Sequence, residues 1–152
     1  MLTVLNVAAL LVSGLVAGVF FDVAIAMMPA FFAMRPGSYV EANNMIGEHY
    51  HPVMPIIVNI ATISDLLLGI MSDTPSRQVL FFVAFAALVG VQLVSQFGNV
   101  PINKRMLKID PDDVPEDWGD PRKLWSNWHF LRTAFAAIAF VINGTAVLLA
   151  AS

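Results

Sequence analysis

Four long apolar runs separated by short polar breaks dominate the chain. They extend from about Leu2 to Met28, Pro52 to Met71, Arg77 to Phe97 and Trp125 to Ala150. Each approaches the ~20 residues needed to cross a hydrocarbon core of ~30 Å. Lipid offers a backbone no hydrogen bonds, so such segments are predicted as helices. Four spans in so short a chain predict an all-α, up-down-up-down bundle, a single transmembrane domain over residues 1–152. The first run has no Lys or Arg ahead of it and exceeds the apolar core of a signal peptide. It therefore reads as an uncleaved first span.

The breaks are unequal. Ser72 to Ser76 is a tight turn containing Pro75. The first loop, Pro29 to His51, carries Arg35-Pro36-Gly37 and has room for a short amphipathic helix from about Ser38 to Gly47. The third, Gly98 to Lys123, reads as coil, rich in proline and acids. Loops one and three hold Arg35, Lys104, Arg105, Lys108, Arg122 and Lys123, against only Arg77 on the opposite side. The positive-inside rule then puts both loops in the cytoplasm and both termini outside. A bacterial inner membrane is the expected location.

Composition agrees with this pattern. Charged residues make up 12% of the chain, where a soluble domain carries about a quarter. The net charge of −3 resides mostly in loops, and no basic face exists that would suit nucleic acid. Without cysteine there is no disulfide, thiolate metal site or thiol nucleophile.

The polar residues inside the apolar runs are the candidate chemistry. In the fourth span Trp125, Trp128, His129 and Arg132 share one helical face. Arg132 lies about two turns in, ~10 Å deep, and needs an anion, a ring of carbonyls or a snorkelling route. Either this face is an inward polar site or it is an interfacial Trp belt. In the third run Gln92, Gln96, Asn99 and Asn103 recur at helical spacing, as interhelical glue or as part of a site. Pro101, between the two Asn, frees a carbonyl one turn back.

Glu48-His49-Tyr50-His51 opens the second span with residues suited to metal ligation or acid–base work, or simply to a wet loop. His49 and His51 can share a metal only if this segment is non-helical, which Pro52 favours. Asp22 lies in the first span without a local cation, so its expected partner is Arg132 or a protonated His. Asp65 follows Asn59 and Thr62 along one stripe. It is expected to bond Gln92 or to belong to a proton path. By depth, Asp22, Glu48, His49, His51, Asn99, Asn103, Trp125, His129 and Arg132 fall at one end of the bundle, a pocket arrangement. The acidic loop reads as a solvated lid or connector.

At these residues the chain resembles the anthrone oxygenase-like family of small membrane proteins. The likeness rests on Gly18-Val19-Phe20-Phe21, Met28-Pro29, Gly47 through Pro55, Asn99-Val100-Pro101-Ile102-Asn103, and Trp125, Trp128 and Arg132-Thr133. It implies a four-helix membrane protein whose relatives use O2 to oxidise an anthrone methylene to a quinone carbonyl. Many bacterial relatives carry Asn where this chain has His129, which marks a subgroup.

Two function classes follow. The first is an oxidoreductase acting with O2 on an aromatic or phenolic small molecule. In it His129 or His49 abstracts a proton, Arg132, Asn99 and Asn103 stabilise an oxyanion, and Trp125 and Trp128 stack on a planar, quinone-like substrate. A metal version has His49, His51 and His129, with Glu48 or Asp22, holding copper or iron; the other version needs no cofactor. The second class is a non-catalytic accessory or ligand-binding subunit of a larger membrane complex or homo-oligomer. Gly14 and Gly18 would then support close helix contact, with lipid or protein on the outer faces. A transporter ranks third, because four spans would require an oligomer.

Overall fold

The structure, a computed structural model, describes residues 2–151. The helices are α1 (Leu2–Asp22), α2 (Met28–Ala33), α3 (Pro36–Tyr50), α4 (Val53–Met71), α5 (Pro75–Val94), α6 (Val100–Met106) and α7 (Arg122–Ala151). A π-helical segment, Val23–Met27, joins α1 to α2, and a second, Ser95–Asn99, joins α5 to α6. Four continuous rods are therefore long and apolar enough to span a bilayer: Leu2–Ala33, Val53–Met71, Pro75–Met106 and Arg122–Leu149. The protein is an integral membrane four-helix bundle.

Two expectations about helix ends are corrected, and the reason is the same in both. The first span was expected to end near Pro29 and the third at Phe97, ahead of Pro101, yet both helices run on through these prolines. In a regular α-helix each proline ring would strike the carbonyl four residues back, at Ile25 and Phe97. Both of those residues lie inside the π-helical segments. The wider turn there relieves the clash, and the helix resumes with proline in its first turn. The third loop consequently begins after Met106 rather than at Gly98. The short helix expected over Ser38 to Gly47 is the longer α3.

The rods form a ring in which α1 touches α4 and α7, and α5 touches the same two, so consecutive spans are neighbours. Small residues on the inner faces let the backbones approach: Ala61, Ala84, Ala136 and Ala139 are fully buried with Val16 and Leu88. Phenylalanine rings lie on three glycines, Phe140 on Gly14, Phe82 on Gly69 and Phe135 on Gly90. A Cβ at Gly18 would meet nothing within 4 Å among the described residues, so within this chain only Gly14 of the pair lies at a helix contact. The outer faces carry exposed Ile56, Ile63, Val79, Phe97 and Leu148, as lipid requires.

Hydroxyl and amide side chains within the spans mostly bond back to the carbonyl four residues earlier. Ser13 donates to Ala9, Asn59 to Pro55, Thr62 to Val58, Ser95 to Val91 and Thr133 to His129. Each polar group is thereby satisfied on its own helix, where lipid offers nothing. Asp65 is different: it is wholly buried, and its Oδ2 accepts from Asn143 Nδ2 at 3.3 Å. Asn143 also donates to Ser13 Oγ at 3.1 Å. The expected bond between Asp65 and Gln92 does not form; Gln92 donates to Thr62 Oγ1 at 2.8 Å, leaving Asp65 to α7.

At the opposite end, α2, α3, α6 and the third loop close over the bundle. Arg122 holds them together by donating through Nη1 to two carbonyls at the end of α2, that of Phe31 (2.9 Å), which also accepts from the Met34 N–H, and that of Met34 (2.8 Å). It also forms an ion pair with Asp120 and lies over the Tyr39 ring. Burial raises the Tyr39 hydroxyl pKa to about 12, so it stays protonated. Arg105 donates to the carbonyl of Gly119, whose φ of 59° suits glycine. The acidic loop is thus a pinned connector.

Two outcomes are expected. Hydrogen bonds from Arg122 hold the Asp120 carboxyl below the usual range, so its contribution is present above its unfolded pKa and lost as pH falls through the folded one. Partial exposure limits this to roughly 0.2–1 kcal/mol. Acid titration should loosen the cap, seen in tryptophan emission, and Asp120→Asn should remove that dependence. Asn143→Leu leaves Asp65 without its donor and should cost about 1–3 kcal/mol in denaturant unfolding from micelles.

Candidate functional site

The site is built on one buried cation. Arg132 sits on α7 with its Nε 3.0 Å and Nη2 2.9 Å from His129 Nδ1. His129, one turn earlier and fully buried, lies with Nε2 2.9 Å from the carbonyl oxygen of Phe20. A carbonyl only accepts, so Nε2 carries the proton and Nδ1 presents its lone pair to the guanidinium. His129 is therefore held as one tautomer with both ring nitrogens engaged. Trp125 stacks on its face, with ring centroids 5.1 Å apart and planes 7° from parallel.

The rest of the Arg132 environment is aromatic and neutral. Its guanidinium carbon lies 4.6 Å from the Phe20 ring centroid and 5.4 Å from that of Trp125, in cation–π range. Nη1 donates to Ser95 Oγ at 3.3 Å. No carboxylate pairs with it; among the described residues the ion pair is Arg122 with Asp120. Of its five N–H groups, His129 and Ser95 engage three. One on each terminal nitrogen is left for something else.

Arg132 lines a cavity of about 360 Å³, within the range of small-molecule sites. Its walls are largely apolar, among them Val19, Val23, Met54, Val58 and Val91. Its polar groups are Arg132, Asn103, Tyr50, His51, Ser95 and the amides of Asn43, Asn59, Gln92 and Gln96. Asn103 Oδ1 accepts from Trp125 Nε1 at 2.8 Å, which keeps its own N–H groups for a ligand and fixes Trp125 in the wall. Tyr50 and His51 are the cavity's other titratable groups.

Of the residues expected at this site, Arg132, Asn103, Trp125 and His51 line the cavity. Asn99 is buried elsewhere, donating to the Trp125 carbonyl at 3.0 Å. The second π-helical segment is the reason: it breaks the 3.6-residue period, so Asn99 turns towards α7 while Ser95, Gln96 and Asn103 reach the cavity. Trp128 packs against Gly98, where even a Cβ would come within 2.5 Å of the indole, and it does not reach the cavity.

Asp22 is exposed on the outer face of the first span, and neither the expected pair with Arg132 nor one with a His forms. Glu48 and His49 point outward from α3, with His49 Nδ1 2.8 Å from the Met45 carbonyl. Among the described residues no three His, Asp or Glu side chains gather as metal ligands. The set of His49, His51 and Glu48 with His129 or Asp22 is not assembled. α3 is helical through Tyr50, which separates the first two His, and His129 is sealed in the bundle. Ser95 and Asn43 were not anticipated, although Ser95, three residues after Gln92 and four before Asn99, falls at the edge of the same helical face.

His129→Leu removes the acceptor that aims Arg132 and orphans the Phe20 carbonyl. It should lower stability by about 1–3 kcal/mol, measured by denaturant unfolding in micelles.

A family model described as anthrone oxygenase matches residues 45–142, which include α4 through most of α7. No curated protein and no solved structure matches the chain.

Proposed function

The chain belongs to the anthrone oxygenase family, and from that premise we propose that it oxidises an aromatic or phenolic small molecule with O2 in the cavity around Arg132. The observation that carries this reading is the guanidinium itself. It lies in a spanning helix without a carboxylate partner, is aimed by His129, keeps two N–H groups without an acceptor among the described residues, and lines a largely apolar cavity of ligand size. Such a group suits an oxygen that becomes negative only when a proton leaves the substrate.

The side chains divide the work as follows. Trp125 and the apolar walls hold a planar ring system. Arg132, with Asn103, holds the ring oxygen. His51 replaces the buried His129 as the base, since imidazole is the side-chain class suited to proton transfer near neutral pH and His49 faces away. Removing a proton from a methylene beside the ring moves charge onto the held oxygen. The resulting carbanion gives an electron to O2 and recombines with it at carbon, forming a hydroperoxide once protonated. Loss of the second C–H proton with cleavage of the O–O bond releases water and leaves a carbonyl. The balance is one CH2 and one O2 in, one C=O and one H2O out. Low polarity in the cavity strengthens the Arg132 contact and excludes competing hydrolysis.

The membrane is taken to be a bacterial inner membrane, with the cavity end towards the cytoplasm. In support, six basic residues, Arg35, Lys104, Arg105, Lys108, Arg122 and Lys123, lie in the connections and helix ends on that side and only Arg77 lies opposite.

Purified protein in lipid nanodiscs should take up O2 when given anthrone and form anthraquinone. Arg132→Gln should lower kcat/KM roughly 10²–10³-fold, and His51→Ala roughly 10²–10⁴-fold. Binding of anthrone with no O2 uptake would instead make the chain a ligand-binding subunit and sink the catalytic reading.

A further inference from the structure

The α4–α5 hairpin is closed at its turn and open at the cavity. Near the turn, Phe82 of α5 lies on Gly69 of α4 so closely that a Cβ there would come within 2.9 Å of the ring. Further along, Gln92 bridges to Thr62 at 2.8 Å. The next rung would join Gln96 to Asn59, and no bond joins them. Asn59 instead turns back to the carbonyl of Pro55 at 2.8 Å.

Beyond that last bridge the cavity meets the surface. Of its lining residues, those exposed on the outside are His51, just ahead of α4, Pro55 and Asn59 on α4, and Gln96 on the second π-helical segment. All four flank the same seam. Asn59 lies six residues into α4, or ~9 Å along its axis, so the gap opens at a depth facing hydrocarbon. The surrounding surface is lipid-facing, with Ile56, Ile60 and Ile63 on one side and Leu93 and Phe97 on the other. Asn59 places one N–H on Pro55, but its oxygen and the whole Gln96 carboxamide have no partner among the described residues, a costly arrangement in lipid that a polar substituent relieves.

We propose that this seam is a lateral portal, through which a lipophilic ring compound bearing polar substituents leaves the bilayer for the Arg132 cavity. Asn59 and Gln96 form its two posts and recognise a substituent as it passes. The substrate class is then a molecule dissolved in the membrane rather than in water. This rests on the reading of the cavity given above, and the test separates the two.

The chain contains no cysteine, so Asn59→Cys with Gln96→Cys can be bridged by a bifunctional methanethiosulfonate and released by a reductant. In nanodiscs, 1,8-dihydroxyanthraquinone dissolved in the bilayer should quench tryptophan emission. Bridging should slow that quenching roughly ten-fold, and reduction should restore it. An unchanged rate with the bridge confirmed by mass overturns the portal. A second readout needs no substrate-like ligand. Val58→Cys, buried in the cavity wall, should react with a pyrene maleimide from the bilayer, and adding Asn59→Trp should slow this roughly ten-fold. Equal labelling overturns the portal, and so does a bridge that forms between two copies of the chain instead of across one seam. Gated labelling without quenching in the unbridged protein keeps the portal and removes the aromatic-substrate reading.

Discussion

A guanidinium two turns inside a membrane-spanning helix must be solvated by the protein itself, and most of the inner architecture follows from that demand. Arg132 has no carboxylate to neutralise it. It rests on the lone pair of His129, the hydroxyl of Ser95 and the faces of Phe20 and Trp125. Each partner is fixed in turn: His129 by the Phe20 carbonyl, Trp125 by Asn103 and by stacking on His129. An arginine solvated only by neutral groups keeps its full charge for an incoming anion. A carboxylate at the same place would have made a structural pair and closed the site.

The two π-helical segments make this arrangement possible. Each precedes a proline inside a spanning helix and removes the clash that would otherwise end it. The first begins three residues beyond Phe20, whose carbonyl anchors His129. The second contains Ser95, Gln96 and Asn99, which serve three separate partners: the guanidinium, the cavity mouth and the Trp125 carbonyl. An unbroken α-helix would have put Gln96 and Asn99 on one face. The widened turns thus distribute polar groups around a cavity without leaving backbone unpaired against lipid.

The two ends of the bundle use polarity differently. Towards the α4–α5 turn, Asp65, Asn143 and Ser13 form an inward knot that joins three spans, with Phe81 and Leu68 packed nearby. Towards the cavity, some polar groups bond one another around Arg132 while others stop short. Unmade contacts such as the one between Asn59 and Gln96 leave room for a ligand. The cap of α2, α3 and α6, tied by Arg122 to two helix-end carbonyls, shields this end from water. One end of the short domain is thus tied by a buried polar knot, and the other is hollow.

The sequence by itself determined the bundle, because a bilayer permits few solutions to four apolar runs of that length and composition. It also determined that Trp125 and Arg132 share one face of the fourth span and that Asn103 lies at a similar depth, since helical spacing and depth are local properties; whether that face looked inward it left open. Three things needed the tertiary structure. Whether His129 could act as a base depended on the Phe20 carbonyl, which lies 109 residues away in the chain. Whether Asn99 and Trp128 faced a ligand depended on an extra residue in a helical turn and on Gly98, both invisible to a 3.6-residue period. Whether Asp22 had a partner depended on which way the first span rotated in the ring, and it rotated outward. Local periodicity fixes a residue's face relative to its own helix, while only packing between helices decides what that face meets.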